Sequence, residues 1–198
     1  MYRRLRFGAP IVVVSGLPRS GTSMAMRMLA AAGMPLVMDG IRAPDEDNPR
    51  GYFEDERVAN LGQGRDKSWL RDARGKAIKI VSSLLEDLPG SNNYKVLFMN
   101  RNLDEVLVSQ ARMLARRGET SDTSDARLRE SFQQHLARVK AAIRTRPPFE
   151  VCEIEYEEVV ESPLRCAARI REFLGRSLDV DRMAGAVDPG LYRNRRPG

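Results

Sequence analysis

The sequence predicts an α/β fold, a single three-layer domain over residues 1–198 with a mainly parallel central sheet between helices. Three observations predict it. Short apolar runs at Ile11–Val14, Ala77–Val81, Tyr94–Met99 and Phe149–Ile154 alternate with stretches whose apolar residues recur every three or four positions. The first run leads into a loop with two glycines, a proline and an arginine, and that loop into a helix, a P-loop-like strand–loop–helix. The chain is also long enough for one core, and its 42% hydrophobic and 30% charged residues are those of an ordinary globular domain.

The β-branched run Ile11–Val14 reads as a buried strand, and Met24, Met28, Leu29 and Ala32 mark the helix that starts at Thr22. Between them, the backbone N–H groups that the loop Gly16–Gly21 offers, Pro18 apart, added to those of the helix's first turn, form a cradle for a dianion. The spacing Gly16-x4-Gly21 followed by Thr22-Ser23 is close to the Walker A pattern, with one difference. Thr22 occupies the lysine position, and the cation is Arg19 inside the loop. A triphosphate hydrolase needs that lysine on the β/γ-phosphates and a hydroxyl on Mg²⁺. This loop suits an anion held without a metal.

Gly33-Met34-Pro35 ends the helix, and Leu36–Met38 offers a short strand. Residues 39–57 are polar and broken by Pro44, Pro49 and Gly51, with acids and aromatics clustered. A loop of that length inside a compact domain is usually functional. A short helix is expected at Glu56–Leu61, and the connection from Gly62 to Gly75 is tacked down by Trp69 and Leu70. Lys79 lies near the end of the Ala77–Val81 strand, where a lysine must be paired or aimed into a cleft. Tyr94–Met99 ends at Asn100-Arg101, which sets Arg101 at the C-terminal end of a strand, the ligand-binding side of parallel sheets. Leu103, Val106, Leu107, Ala111 and Leu114 mark the next helix, which carries Ser109. Ser121–Asp125 starts another, whose apolar stripe runs from Leu128 to Ile143 and has His135 beside it as a structural residue. Pro163–Leu174 is the last clear helix, closed by Gly175, and the tail Asp188–Arg196 is basic and irregular.

The formal charge of +6 and a pI of about 9.7 fit a small polyanionic ligand, since no basic arm or aromatic-plus-basic pattern suggests nucleic acid. Two cysteines, Cys152 and Cys166, and one histidine exclude a disulfide framework and a zinc site of Cys/His type. No apolar run approaches the ~20 residues that span a bilayer. Arg3–Arg6 leads at once into the first strand, unlike a signal peptide, so the cytoplasm is the expected location and no membrane partner is expected.

Three stretches together resemble the sulfotransferase superfamily that uses 3′-phosphoadenosine 5′-phosphosulfate (PAPS). Leu17-Pro18-Arg19-Ser20-Gly21-Thr22-Ser23 is similar to its 5′-phosphosulfate loop. Arg101-Asn102-Leu103-Asp104-Glu105-Val106-Leu107-Val108-Ser109 looks like its 3′-phosphate motif, an arginine at a strand end and a serine eight residues later. Ile154-Glu155-Tyr156-Glu157-Glu158-Val159-Val160-Glu161-Ser162-Pro163 resembles a segment of bacterial members and carries no obvious chemistry.

The resemblance implies PAPS as the donor, no metal, and a small-molecule or carbohydrate acceptor with a hydroxyl or amine. Arg19, Ser20, Gly21, Thr22 and Ser23 would hold the 5′ end, and Arg101 and Ser109 the 3′-phosphate; Arg193 of the basic tail joins the donor-binding set. Lys79 matches the family lysine on the preceding strand and would stabilise the transferring group. Many members carry a histidine two residues after that lysine, where this chain has Val81. The base is therefore expected to be an acid after the first helix: Glu54, Asp39 or Asp45, with Glu54 favoured because Tyr52-Phe53 would desolvate it. The 198 residues leave limited room for a lid, so the site is expected to be open or completed by a second subunit, as in a homodimer. Two other readings stay open: a P-loop kinase or NTPase, and a non-catalytic 3′-phosphonucleotide-binding protein.

Overall fold

The computed structural model describes residues 2–41, 43, 45, 51–64, 66–116, 118, 119 and 123–191. In chain order its elements are α1 (Tyr2–Phe7), β1 (Ile11–Gly16), α2 (Thr22–Ala31), β2 (Leu36–Val37), α3 (Glu56–Ala59), β3 (Ala77–Lys79), β4 (Tyr94–Asn100), α4 (Leu103–Arg116), α5 (Asp125–Thr145), β5 (Phe149–Glu155), α6 (Tyr156–Glu161), α7 (Pro163–Leu174) and α8 (Val180–Gly185). Short 3₁₀ helices lie at Leu61–Gln63, Ser68–Ala73, Ser82–Leu84 and Pro189–Leu191.

The five strands form one sheet in the order β2-β3-β1-β4-β5, and every neighbouring pair is parallel. β1 sits in the middle and is buried along its whole length, as a strand covered on both faces must be. Its residues alternate between two cores. Val12 and Val14 pack with Met24, Met28 and Leu29 of α2, Ile170 of α7 and Met183 of α8. Ile11 and Val13 pack on the other face with Val96 and Phe98 of β4, Val139 and Ile143 of α5, and Leu70 and Leu85. Each such fully buried aliphatic contributes about 1.5–3 kcal/mol of transfer free energy, so the β-branched run is what anchors the sheet.

From β1 the chain passes to β2 at one edge of the sheet, and from β4 to β5 at the other. Neighbouring strands whose connections leave in opposite directions open a crevice at their C-terminal ends. Gly16 pairs with Met99 there, and Val14 with Lys79 on the other side.

Several elements differ from the sequence expectation. α1 lies ahead of β1 where a direct entry into the strand was expected, and Gly8 at φ 82° ends it. The strand at Ala77 stops at Lys79 instead of Val81, because the backbone turns there into the 3₁₀ helix at Ser82. The expected helix Glu56–Leu61 ends at Ala59 and gives way to a 3₁₀ turn. The Gly62–Gly75 connection contains a six-residue 3₁₀ helix that buries Leu70 and Ala73. α6 and α8 have six residues each, too short to repeat a helical period in sequence. Cys152 and Cys166 are free thiols. Among the described residues, no helix is long and apolar enough to cross a membrane.

Candidate active site

The loop after β1 is shaped by two positions that exclude a side chain. A Cβ on Gly16 would lie 2.4 Å from Ser20 Oγ and 2.6 Å from the Met99 carbonyl oxygen. A Cβ on Gly21 would lie 2.4 Å from Cδ2 of Tyr156, and Gly21 adopts φ 98° at the N-terminus of α2. Arg19 takes the left-handed conformation at φ 71°, a strain of about 1–3 kcal/mol for a non-glycine residue that surrounding contacts must offset. The offsetting contact is visible: Arg101 Nη1 donates to the Arg19 carbonyl at 3.1 Å. Ser20 is buried between these glycines, and Thr22 and Ser23 open the first turn of α2.

The second half comes from β4 and α4. Asn102 Oδ1 accepts from the Asp104 N–H at 2.9 Å and so caps α4, fixing how the helix leaves the strand. That exit puts Arg101 at the mouth of the crevice and Ser109 two turns along the helix. Arg19 Nε donates to Ser109 Oγ at 2.9 Å across 90 residues of sequence. Arg101 Nε donates to Glu105 Oε2 at 3.0 Å, one helical turn on, and its guanidinium lies 4.3 Å over the Tyr156 ring. Arg19, Arg101 and Ser109 thus form one connected group.

The third part hangs on β3. Lys79 is its last residue and is buried, yet it is paired: Nζ donates to Glu54 Oε1 at 2.8 Å and to the carbonyl of Tyr52. The Tyr52 ring lies 5.7 Å from the ammonium. Phe53, at φ 52°, turns the chain between Tyr52 and Glu54.

The other two acids occupy different positions. Asp39 Oδ1 accepts from the Ile41 N–H at 2.9 Å and Oδ2 from the Glu56 N–H at 2.6 Å. Its own N–H donates to the Glu54 carbonyl at 3.0 Å, so Asp39 straps the exit of β2 to the segment carrying Glu54. Both oxygens of Asp45 accept from the Tyr52 hydroxyl, at 2.6 and 2.7 Å. Arg193 lies outside the described residues. His135 on α5 has Nε2 2.9 Å from the buried Ser82 Oγ, and burial, then the neighbouring Arg138, pushes its pKa below the ordinary value against the opposing pull of Glu86.

Three contacts of this constellation escaped the sequence reading. Glu105 had a signal, its i,i+4 spacing from Arg101. The Tyr52 carbonyl on Lys79 and the Tyr156 ring on Arg101 had none, because both contacts join segments far apart in the chain.

The chain has counterparts among known proteins. Residues 9–189 match the sulfotransferase domain family. Among solved structures, the chain is similar to the sulfotransferase domain from the Synechococcus PCC 7002 olefin synthase, with 16% identity, 95% of this chain and 88% of that one covered, and a TM-score of 0.59. It is similar to the sulfotransferase domain from the curacin biosynthetic pathway, with 13% identity, 96% and 93% covered, and a TM-score of 0.53. It is also similar to sulfotransferase STF1 from Mycobacterium tuberculosis H37Rv, with 17% identity, 90% and 70% covered, and a TM-score of 0.54. No curated protein matches the chain. At these identities the solved structures speak to the fold, and the family match speaks to the family. The chain belongs to the sulfotransferase domain family and is a sulfotransferase.

Proposed function

We propose that this chain, read as one domain over residues 1–198, moves a sulfuryl group from PAPS to a hydroxyl or amine of a small-molecule or carbohydrate acceptor by in-line transfer. The observation that carries the reading is the junction of Arg19, Arg101 and Ser109 at the mouth of the crevice. It joins two basic groups from two segments at one spot, which suits a ligand with two anionic ends. The residues present fit such a donor. Among the described residues Ser20 Oγ, buried in the loop, meets no hydrogen-bond partner, and its hydroxyl can donate to an anionic oxygen. Gly16 and Gly21 let the loop pack closely on Met99 and Tyr156, which fixes its curl.

In this reading Arg19, Ser20, Gly21, Thr22 and Ser23 hold the 5′ end, where backbone N–H groups and the start of α2 favour negative charge. Arg101 and Ser109 hold the 3′-phosphate, the guanidinium by its planar fork and the hydroxyl as a neutral donor. The donor, when bound, supplies the sulfuryl group and leaves as the 3′,5′-bisphosphate. Lys79 places an ammonium where negative charge develops on the leaving oxygen. Glu54 takes the proton of the attacking hydroxyl or amine. The ion pair holds the Glu54 carboxylate beside the Lys79 ammonium, so the proton acceptor and the cation face the same spot. Asp39 acts by positioning Glu54 through the backbone.

A kinase reading would need a cation at Thr22 and an acid at the end of β4, where Asn100 stands. A thermal-shift titration separates the two, because a ligand that binds only the folded state raises the unfolding temperature with its concentration. Expected is stabilisation by 3′-phosphoadenosine 5′-phosphate, weakened about 10–100-fold in apparent affinity by Arg101→Ala, the worth of one or two charge-assisted hydrogen bonds. Stabilisation by ATP-Mg²⁺ alone would overturn the donor assignment.

A further inference from the structure

The stretch Ile154–Pro163 has no part in the reading above, yet it delivers one residue to the centre of the site. Tyr156, the first residue of α6, is 4% exposed where the chain leaves β5. One edge of its ring abuts Gly21, where a Cβ would fall 2.4 Å from Cδ2 and 2.9 Å from Cε2. Its face lies 4.3 Å from the Arg101 guanidinium carbon. The same guanidinium donates through Nε to Glu105 at 3.0 Å and through Nη1 to the Arg19 carbonyl at 3.1 Å. Arg101 is therefore held on its face, on its near nitrogen and on one outer nitrogen, by residues from α6, α4 and the loop.

We propose that Tyr156 and Glu105 are positioning residues that fix Arg101, and that this clamp makes the site selective for a nucleotide bearing a 3′-phosphate. The inference rests on the donor reading given above. An arginine side chain has several rotatable bonds, and one that must be ordered on binding costs affinity. Stacking on the tyrosine and pairing with Glu105 order it beforehand. A desolvated cation over an aromatic ring is favourable in its own right. Glu105 is itself buried against the guanidinium, so removing the carboxylate's charge takes away the partner of Arg101 Nε and loosens the side chain on that side.

The clamp also ties the two ends of the site together. Arg101 holds the carbonyl of strained Arg19, and Tyr156 touches Gly21 in the same loop. An anion that settles on Arg101 therefore steadies the loop around the other anion. Loosening Arg101 is expected to cost a nucleotide with two anionic ends more than one with a single 5′-phosphate.

The test is calorimetric titration of the whole chain with 3′-phosphoadenosine 5′-phosphate and with adenosine 5′-monophosphate, for the unsubstituted protein and for Tyr156→Phe, Tyr156→Leu and Glu105→Gln. Expected is a preference of the unsubstituted protein for the bisphosphate. Tyr156→Phe keeps the ring and retains that preference within about threefold, whereas Tyr156→Leu and Glu105→Gln reduce it by about tenfold or more, mainly through weaker bisphosphate binding. Glu105→Gln is nearly isosteric and decides the matter alone if Tyr156→Leu does not fold. An unchanged preference in the folded variants overturns the clamp, as does an equal loss of both nucleotides, which marks a structural role only. No preference in the unsubstituted protein would instead overturn the donor reading, and the clamp with it.

Discussion

The two halves of the site are built differently. On one side, Arg101 and Ser109 stand on a strand end and a capped helix. The Arg101 and Glu105 side chains there are 7% and 3% exposed, locked against the loop and Tyr156. On the other side Glu54 sits on an irregular segment, its side chain 39% exposed, and is held by Lys79 and by the backbone strap through Asp39. The contrast teaches a division of labour. In the proposed reading the donor is gripped by regular, buried structure, which positions groups more tightly than loops do. In the same reading the group that takes the acceptor's proton is carried on a loop, where shape can change without disturbing the core.

The largest effect that would sharpen this contrast is expected from Lys79→Met, which removes the cation at the end of β3. Turnover should fall about 10²–10³-fold, as when one preorganised donor is lost from a site of developing charge. Glu54→Gln keeps the acceptor oxygen for Lys79 but cannot take a proton. A rate loss of about 10²-fold or more is expected, with the decline in rate toward low pH flattened because its titrating group is gone. A Glu54→Gln variant with an unchanged pH–rate profile would move the base elsewhere.

The smallest effect lies outside both halves. Burial holds the His135 pKa below its unfolded value, so on acidification the unfolded chain binds protons first. This histidine's contribution is full above the unfolded value of about 6.5 and is lost as pH falls toward the folded value. Unfolding midpoints measured across that range should decline toward acid less steeply in His135→Gln, with the site's nucleotide affinity untouched. A change in affinity would attach Ser82 and His135 to the active site.

The same contrast explains what the sequence made legible. The first half is local: Gly16 to Ser23 is continuous, and Arg101 and Ser109 lie on one strand end and one helix, so these short motifs and the family resemblance they carry announced them, while Glu105 on the same helix had only its spacing from Arg101. Lys79 was legible as a charge at the end of an apolar strand. Its pairing with Glu54, 25 residues earlier, depends on how an irregular segment folds back, and no periodicity encodes that. Asp39 and Asp45 are acids of the same segment, and only the structure distinguishes the backbone strap from the partner of the Tyr52 hydroxyl. Tyr156 was unreadable because its partners, Gly21 and Arg101, belong to segments that meet it only when the parallel sheet has formed. The short helices α1, α6 and α8 were missed because six residues do not display a repeat.

The central claim is that donor binding and sulfuryl transfer reside in separable halves. It is tested most directly by calorimetric titration of Lys79→Met with 3′-phosphoadenosine 5′-phosphate, set beside the turnover of the same variant. The account predicts an affinity within about threefold of the unsubstituted protein, less than 1.4 kcal/mol, despite the loss of turnover. A variant that no longer binds the bisphosphate would contradict it, and would make Lys79 part of the donor grip.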